Sequence, residues 1–130
     1  MTPSPIQNRI GSVFIPVGDM QRSLKWYCQI LGMKPVNDSH SGKICTLRME
    51  NGMNLILDSH KKVKNSSQPI CSFWTEDIFA AKQFLAKNSV HPVNDIEDIG
   101  SVTTLTFQDP DGNLLMVCQK NNPLISTKAP

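Results

Sequence analysis

Pro35-Val36-Asn37-Asp38 and Pro92-Val93-Asn94-Asp95 are the same tetrapeptide, written twice in a chain of 130 residues. The copies lie 57 residues apart, and the correspondence reaches beyond them. Asp19 matches Asp77, Gly42 matches Gly100 and Leu47 matches Leu105 at a spacing of 58, while Asn54-Leu55 matches Asn113-Leu114 at 59. A chance tetrapeptide does not carry its neighbours with it, so the chain reads as one unit duplicated. Two copies are too few for a solenoid. The expectation is a single pseudo-symmetric domain: module one over about 9–59, a linker at 60–69, module two over about 70–120 and a polar tail at 121–130.

The unit reads as β-α-β-β-β. Ile10 to Val17, rich in Val, Ile and Phe, is a strand that stops at Gly18-Asp19, where the aspartate can cap a helix. Met20, Leu24, Tyr27, Cys28 and Leu31 then recur every three or four residues, and Gly32 ends the helix. A short strand through Lys34–Asp38, a turn at Ser39–Gly42, strands at Lys43–Met49 and Met53–Asp58, and the turn Asn51-Gly52 between them complete module one. Module two repeats the order. Ile70–Thr75 is strand; Asp77 caps a helix carrying Ile78, Ala81, Phe84 and Leu85, which ends at Asn88-Ser89; strands follow near His91–Asn94, at Ser101–Gln108 and at Asn113–Gln119. Asp109-Pro110-Asp111-Gly112 is the hairpin turn between the last two. The fold class is therefore α+β, two tandem βαβββ modules forming a curved mixed sheet around a cleft, which is where a ligand belongs.

With 39% hydrophobic residues the chain can build one ordinary core but not two independent ones. A net charge of +2 gives no nucleic-acid-binding face, and the run from Lys61 to Lys64 reads as a solvated linker. The opening Met1-Thr-Pro-Ser-Pro resembles no targeting segment and no run is long enough to span a bilayer, so the expected partner is neither nucleic acid nor membrane and the expected location is cytoplasmic. Cys28, Cys45, Cys71 and Cys118 are scattered without a close pair, which argues against a disulfide framework or a zinc knuckle.

Two motifs carry a resemblance to a known family. Val13-Phe-Ile-Pro-Val-Gly-Asp19 with Ser23-Leu-Lys-Trp-Tyr27 and Ile30-Leu-Gly-Met33 resembles the N-terminal signature of the vicinal oxygen chelate superfamily. Phe107-Gln-Asp-Pro-Asp-Gly-Asn113 resembles its C-terminal hairpin. That superfamily includes glyoxalase I, extradiol dioxygenases, fosfomycin-resistance transferases, methylmalonyl-CoA epimerase and bleomycin-resistance binding proteins. The resemblance implies paired βαβββ modules, commonly a homodimer, with sites on the sheets; it does not choose among the chemistries.

Enzymes of the family place His, Gln or Glu on the first and last strands of each module to hold a divalent metal. The corresponding positions here are Ser12, Leu57, Cys71 and Met116, none of them a hard nitrogen or oxygen ligand of that kind. A register slip of one residue exchanges Cys71 for Ser72 and Leu57 for Asp58 and reverses the face, which leaves Asp58 as the one acid that a slip can bring in. Cys71, Met116 and Cys118 form a soft donor set for Cu(I), but thiol and thioether are also common core fillers. His40, His60 and His91 fall in turns or at strand starts rather than at family metal positions. Cys71 is the best candidate for a reactive group, and it lacks an activating neighbour in sequence. The cleft candidates are Phe14, Met49, Asp58, Phe73, Phe107 and Cys118, with Trp26 and Tyr27 occupying the aromatic pair of the family's helix. The reading favoured is a small-molecule binding protein for a planar or apolar ligand, neutral or weakly anionic, with no cofactor. The alternatives are a metal-dependent lyase, isomerase or dioxygenase with displaced ligands, and a non-enzymatic structural dimer whose cleft is filled by its own side chains.

Overall fold

A computed structural model describes residues 3–34, 39–40 (backbone only), 42–60, 62–64 and 67–122. Module one contains β1 (Ser12–Pro16), α1 (Met20–Ile30), β2 (Ser39–His40), β3 (Ile44–Arg48) and β4 (Asn54–Asp58). Module two contains β5 (Cys71–Trp74), α2 (Ile78–Lys87), β6 (Glu97–Asp98), β7 (Val102–Gln108) and β8 (Leu114–Lys120). Each module is a four-stranded mixed sheet of the same order, β1-β4-β3-β2 and β5-β8-β7-β6, with the first strand parallel to the last. No helix among the described residues is long and apolar enough to cross a membrane.

The helices begin where the sequence supplies an acceptor. The Asp19 carboxylate accepts from the Arg22 N–H, and Asp77 accepts from the N–H groups of Phe79 and Ala80. Gly32 follows α1 at φ 64, the left-handed conformation that a helix end selects glycine for. Tyr27 and Cys28 are buried on α1, Ile78 and Leu85 on α2, and their faces join Ile15, Leu47, Leu57, Leu105, Phe107 and Leu115 in one core that runs through both modules.

Two expectations are corrected and a third lies mostly outside the described residues. The Lys34–Asp38 strand falls mostly on positions outside the described residues, as does the first copy of the tetrapeptide, and Ser39–His40, expected as turn, is β2 instead. The second copy is no regular strand: Pro92 makes only an isolated bridge to Phe107, and β6 forms later, at Glu97–Asp98. Proline has no N–H to give to a ladder. Val93 N–H bonds the Thr106 carbonyl at 2.9 Å, and the Asn94 side chain accepts the Thr106 N–H at 3.2 Å in place of backbone.

The spacing of the two hairpins also differs from 59. Gly52 donates to Met49 O and Met49 N donates to Met53 O; Gly112 donates to Asp109 O and Asp109 N donates to Asn113 O. Met49 therefore corresponds to Asp109, Gly52 to Gly112 and Met53 to Asn113, all at a spacing of 60. The Asn-Leu pairs that gave 59 coincide in letters and not in position.

The Asp109–Asn113 turn fastens module two to module one. Tyr27 Oη donates to Asp109 Oδ2 at 2.6 Å, Asn113 Nδ2 donates to the Pro16 carbonyl at 2.8 Å, and Asp111 Oδ1 accepts from Arg22 Nη2 at 2.8 Å and from the Gly18 N–H at 3.1 Å. A Cβ on Gly18 would stand 2.9 Å from Asp111 Oδ1, so a larger residue there would displace the Asp111 carboxylate from these bonds. Burial, and then the charge of Asp109, push the Tyr27 hydroxyl far above the ordinary tyrosine range. The neutral phenol is thus tied to the folded state. Its contribution is whole below the unfolded-state value of about 10 and is lost as pH rises above it. Tyr27→Phe is expected to lower stability at neutral pH by about 1.5–3 kcal/mol in urea titrations and to reduce the slope of stability against pH above about 10. An unchanged urea midpoint would show that the bond contributes nothing.

Candidate functional site

Strand register decides which residues face the core and which face outward. On β1 and β4 the pairs Ser12–Asn54, Phe14–Ile56 and Pro16–Asp58 share one face, while Ile15 pairs with Leu57 on the other. Ile15 and Leu57 are both fully buried, so theirs is the core face and the Phe14 face is open. In module two, Ser72 pairs with Met116 and Trp74 with Cys118, whereas Cys71 pairs with Leu115 and Phe73 with Val117 on the core side.

Several sequence expectations change accordingly. Leu57 and Cys71 lie on core faces, Ser12 on the open face of module one and Met116 on that of module two, so the four family metal positions do not converge. Two spacings are the cause: the hairpins correspond at 60, which separates Leu57 from Met116, and the first strands correspond at 58, with Val17 N–H on the Asp58 carbonyl as Thr75 N–H is on that of Cys118, which sets Cys71 against Val13 rather than Ser12. Phe107 is fully buried against Trp26, with ring centroids 6.4 Å apart, and Met49 and Phe73 pack on the core; none of the three lines a cleft. Trp26 and Tyr27 are core too, in an edge-to-face pair at 4.8 Å. Cys118 does lie on the open face of module two but is buried there, and Cys71 lies on the opposite face from Met116 and Cys118, which breaks up the soft donor set.

Phe14 and Asp58 are brought together. With Pro16, Lys62 and Lys64 they line an open cavity of about 320 Å³ on module one. Phe14 is 61% exposed, comparable with Trp74 and Phe79 at 63% and 67%, and of these three it is the one that lines this cavity. Asp58 Oδ1 accepts the His60 N–H at 2.8 Å and lies 3.4 Å from His60 Nδ1, so the carboxylate is held at the end of its strand. Sequence reasoning missed Pro16, Lys62 and Lys64. Pro16 has the same strand parity as Phe14, and the lysines directly follow the strand that ends at Asp58; those were the available signals.

The donor set does not fit a hard divalent metal. The outward positions of the first and last strands supply hydroxyl, aromatic, aliphatic, thioether and thiol groups with one carboxamide, Asn54, and one carboxylate, Asp58, at opposite ends of β4. Among the described residues no three His, Cys, Asp or Glu side chains are grouped to hold an ion. His91 is exposed and His60 Nδ1 lies 3.4 Å from Asp58 Oδ1; His40 lies in β2, where its side chain is outside the described residues. Nucleophilic chemistry is equally poorly served, since burial pushes the Cys71 thiol up to about 11 and raises that of Cys118. Alkylation of native Cys71 is expected to be slow at neutral pH and to accelerate about tenfold per pH unit as pH rises toward 11. Fast labelling of Cys71 at neutral pH, followed by peptide mass analysis, would restore a reactive cysteine.

Comparison with known proteins agrees with this architecture. The Glyoxalase/Bleomycin resistance protein/Dioxygenase superfamily matches residues 9–117. No curated protein matches the chain in sequence. Among solved structures, the chain is similar to TnmS3, an antibiotic binding protein from Streptomyces sp. CB03234, with a TM-score of 0.75 at 20% identity over 92% of this chain and 100% of that one. It is also similar to a glyoxalase/dioxygenase from Nostoc punctiforme, with a TM-score of 0.71 at 18% identity over 94% and 100% of the two chains. A protein from the mobile metagenome of V. Pseudocholerae gives 0.68 at 24% identity over 94% and 98%. At these identities the structural likeness establishes the fold, and the match over residues 9–117 establishes the lineage: the chain belongs to the Glyoxalase/Bleomycin resistance protein/Dioxygenase superfamily.

Proposed function

We propose that the protein binds a small, planar or apolar molecule on the open face of module one, without the metal centre of the family's enzymes. The observation that carries this reading is Phe14, a bare aromatic ring at 61% exposure inside a cavity of ligand size. An aromatic side chain left in water at the middle of a strand is uncompensated surface, and a flat ligand is its natural cover. The mismatch between the donor set and a hard metal supports binding over metal-assisted chemistry. TnmS3, the antibiotic binding protein of similar fold, supports small-molecule binding as a class without indicating a particular ligand.

The proposal extends to a homodimer. Phe14 and Trp74, 61% and 63% exposed on the open faces of the two sheets, leave apolar surface that a second copy can close over a ligand.

A thermal-shift screen of small aromatic compounds is expected to find molecules that raise Tm, and Phe14→Ala is expected to abolish that rise while changing the unliganded stability by no more than about 0.5 kcal/mol. Ligands that stabilise the Phe14→Ala variant equally well would move the site elsewhere. Exposure to Ni²⁺, Zn²⁺, Mn²⁺ and Fe²⁺ followed by removal of free ions is expected to leave far less than one ion per chain. Stoichiometric retention would return the protein to the metal-dependent lyases, isomerases or dioxygenases of the superfamily.

A further inference from the structure

We propose that the ligand of the module-one cavity is an anion: a flat apolar ring system carrying one carboxylate or similar acidic group, whose charge meets Lys62 and Lys64 while the ring lies on Phe14. This rests on the cavity being the ligand site. Five residues line the cavity, and their charges are unequal, two ammonium groups against one carboxylate. The carboxylate is the less available of the two kinds. Asp58 has a side chain only 14% exposed and already accepts from the His60 N–H, while Lys62 and Lys64 are exposed and make no ion pair among the described residues. A cationic ligand would meet two like charges before reaching a carboxylate that is already engaged. An anionic one meets two cations that make no ion pair among the described residues, beside the apolar surface of Phe14 and Pro16.

Module two shows the contrasting arrangement. Its exposed aromatic, Trp74, has Lys120 Nζ 5.0 Å above its ring, so that ring already carries a cation from its own sheet. Among the described residues Phe14 has no such cover. The two lysines are two positions apart on the segment that follows β4, and both reach the same cavity. A stretch that composition alone assigns to solvent thereby supplies the specificity of the site. At 320 Å³ the cavity is at the small end for ligand sites, which favours one or two fused rings.

The test compares naphthoate with its uncharged isostere naphthalenemethanol by calorimetric titration of the full chain. Wild type is expected to bind naphthoate more tightly, with an affinity that falls as salt is added, and the alcohol with an affinity that salt leaves unchanged. Lys62→Gln combined with Lys64→Gln is expected to weaken naphthoate about tenfold and leave the alcohol unaffected. If both compounds bind wild type but the double variant retains full naphthoate affinity, the anion assignment falls and the cavity stands as a neutral-ligand site. If neither compound binds wild type, the cavity itself is refuted as the ligand site, and the anion assignment with it.

Discussion

The carboxylate of Asp109 is the constraint on which the arrangement of the two modules depends. It is 6% exposed and accepts four hydrogen bonds, from the Tyr27 hydroxyl, the backbone N–H groups of Asp111 and Asn113, and the Asn113 amide. Three of these shape the hairpin that carries it and the fourth reaches across to α1. A buried charge costs several kcal/mol when left alone and little when fully bonded. The docked hairpin thus has its carboxylate fully bonded only with α1 in place, because the fourth donor is the Tyr27 hydroxyl. The shared core, in which Phe107 from β7 sits against Trp26 from α1, supplies the apolar part of the same junction.

That junction in turn leaves the other side of each sheet free. Because Ile15, Leu55 and Leu57 are committed to the core, strand alternation sends Phe14, Ile56 and Asp58 outward, and the cavity follows from that parity without further design. The open face and the core face are two readings of one strand, and neither can shift by a residue without exchanging roles with the other.

Most of the architecture was legible in the sequence because it is encoded locally. Asp19 and Asp77 mark helix starts, Gly32 marks a helix end, and Asn51-Gly52 and Asp111-Gly112 mark hairpins, each through short-range backbone chemistry. The duplication was legible as well. The face of each last strand was not, because it depends on a hairpin spacing of 60 that coincident Asn-Leu letters disguised as 59. Leu57 was consequently taken for a metal position on the inner face, while Phe107, which precedes the hairpin, became a cleft candidate because alternation alone does not say which face of β7 is buried. The role of Asp109 and Asp111 was hidden for a different reason: Asp-Pro-Asp-Gly satisfies the demands of a turn so completely that nothing in the letters signals the long-range bonds to Tyr27 and Arg22. Lys62 and Lys64 were invisible because a solvated lysine and one at the rim of a cavity have the same composition.

The duplication has one further consequence when the two helix-and-hairpin pairs are superimposed. With Asp19 on Asp77, the residues Arg22, Ser23 and Tyr27 of α1 fall on Ala80, Ala81 and Leu85 of α2. With Gly52 on Gly112, the hairpin residues Asp109, Asp111 and Asn113 fall on Met49, Asn51 and Met53. Both halves of the polar contact have lost their charge in the symmetry-related copy, where Leu85 and Met49 belong to the core instead. The two modules have become a lock and a key of different chemistry. A first module meeting another first module would set the Tyr27 hydroxyl and the Arg22 guanidinium against methionine and asparagine, so the polar contact that joins unlike modules has no counterpart between like ones, although the two share one strand order.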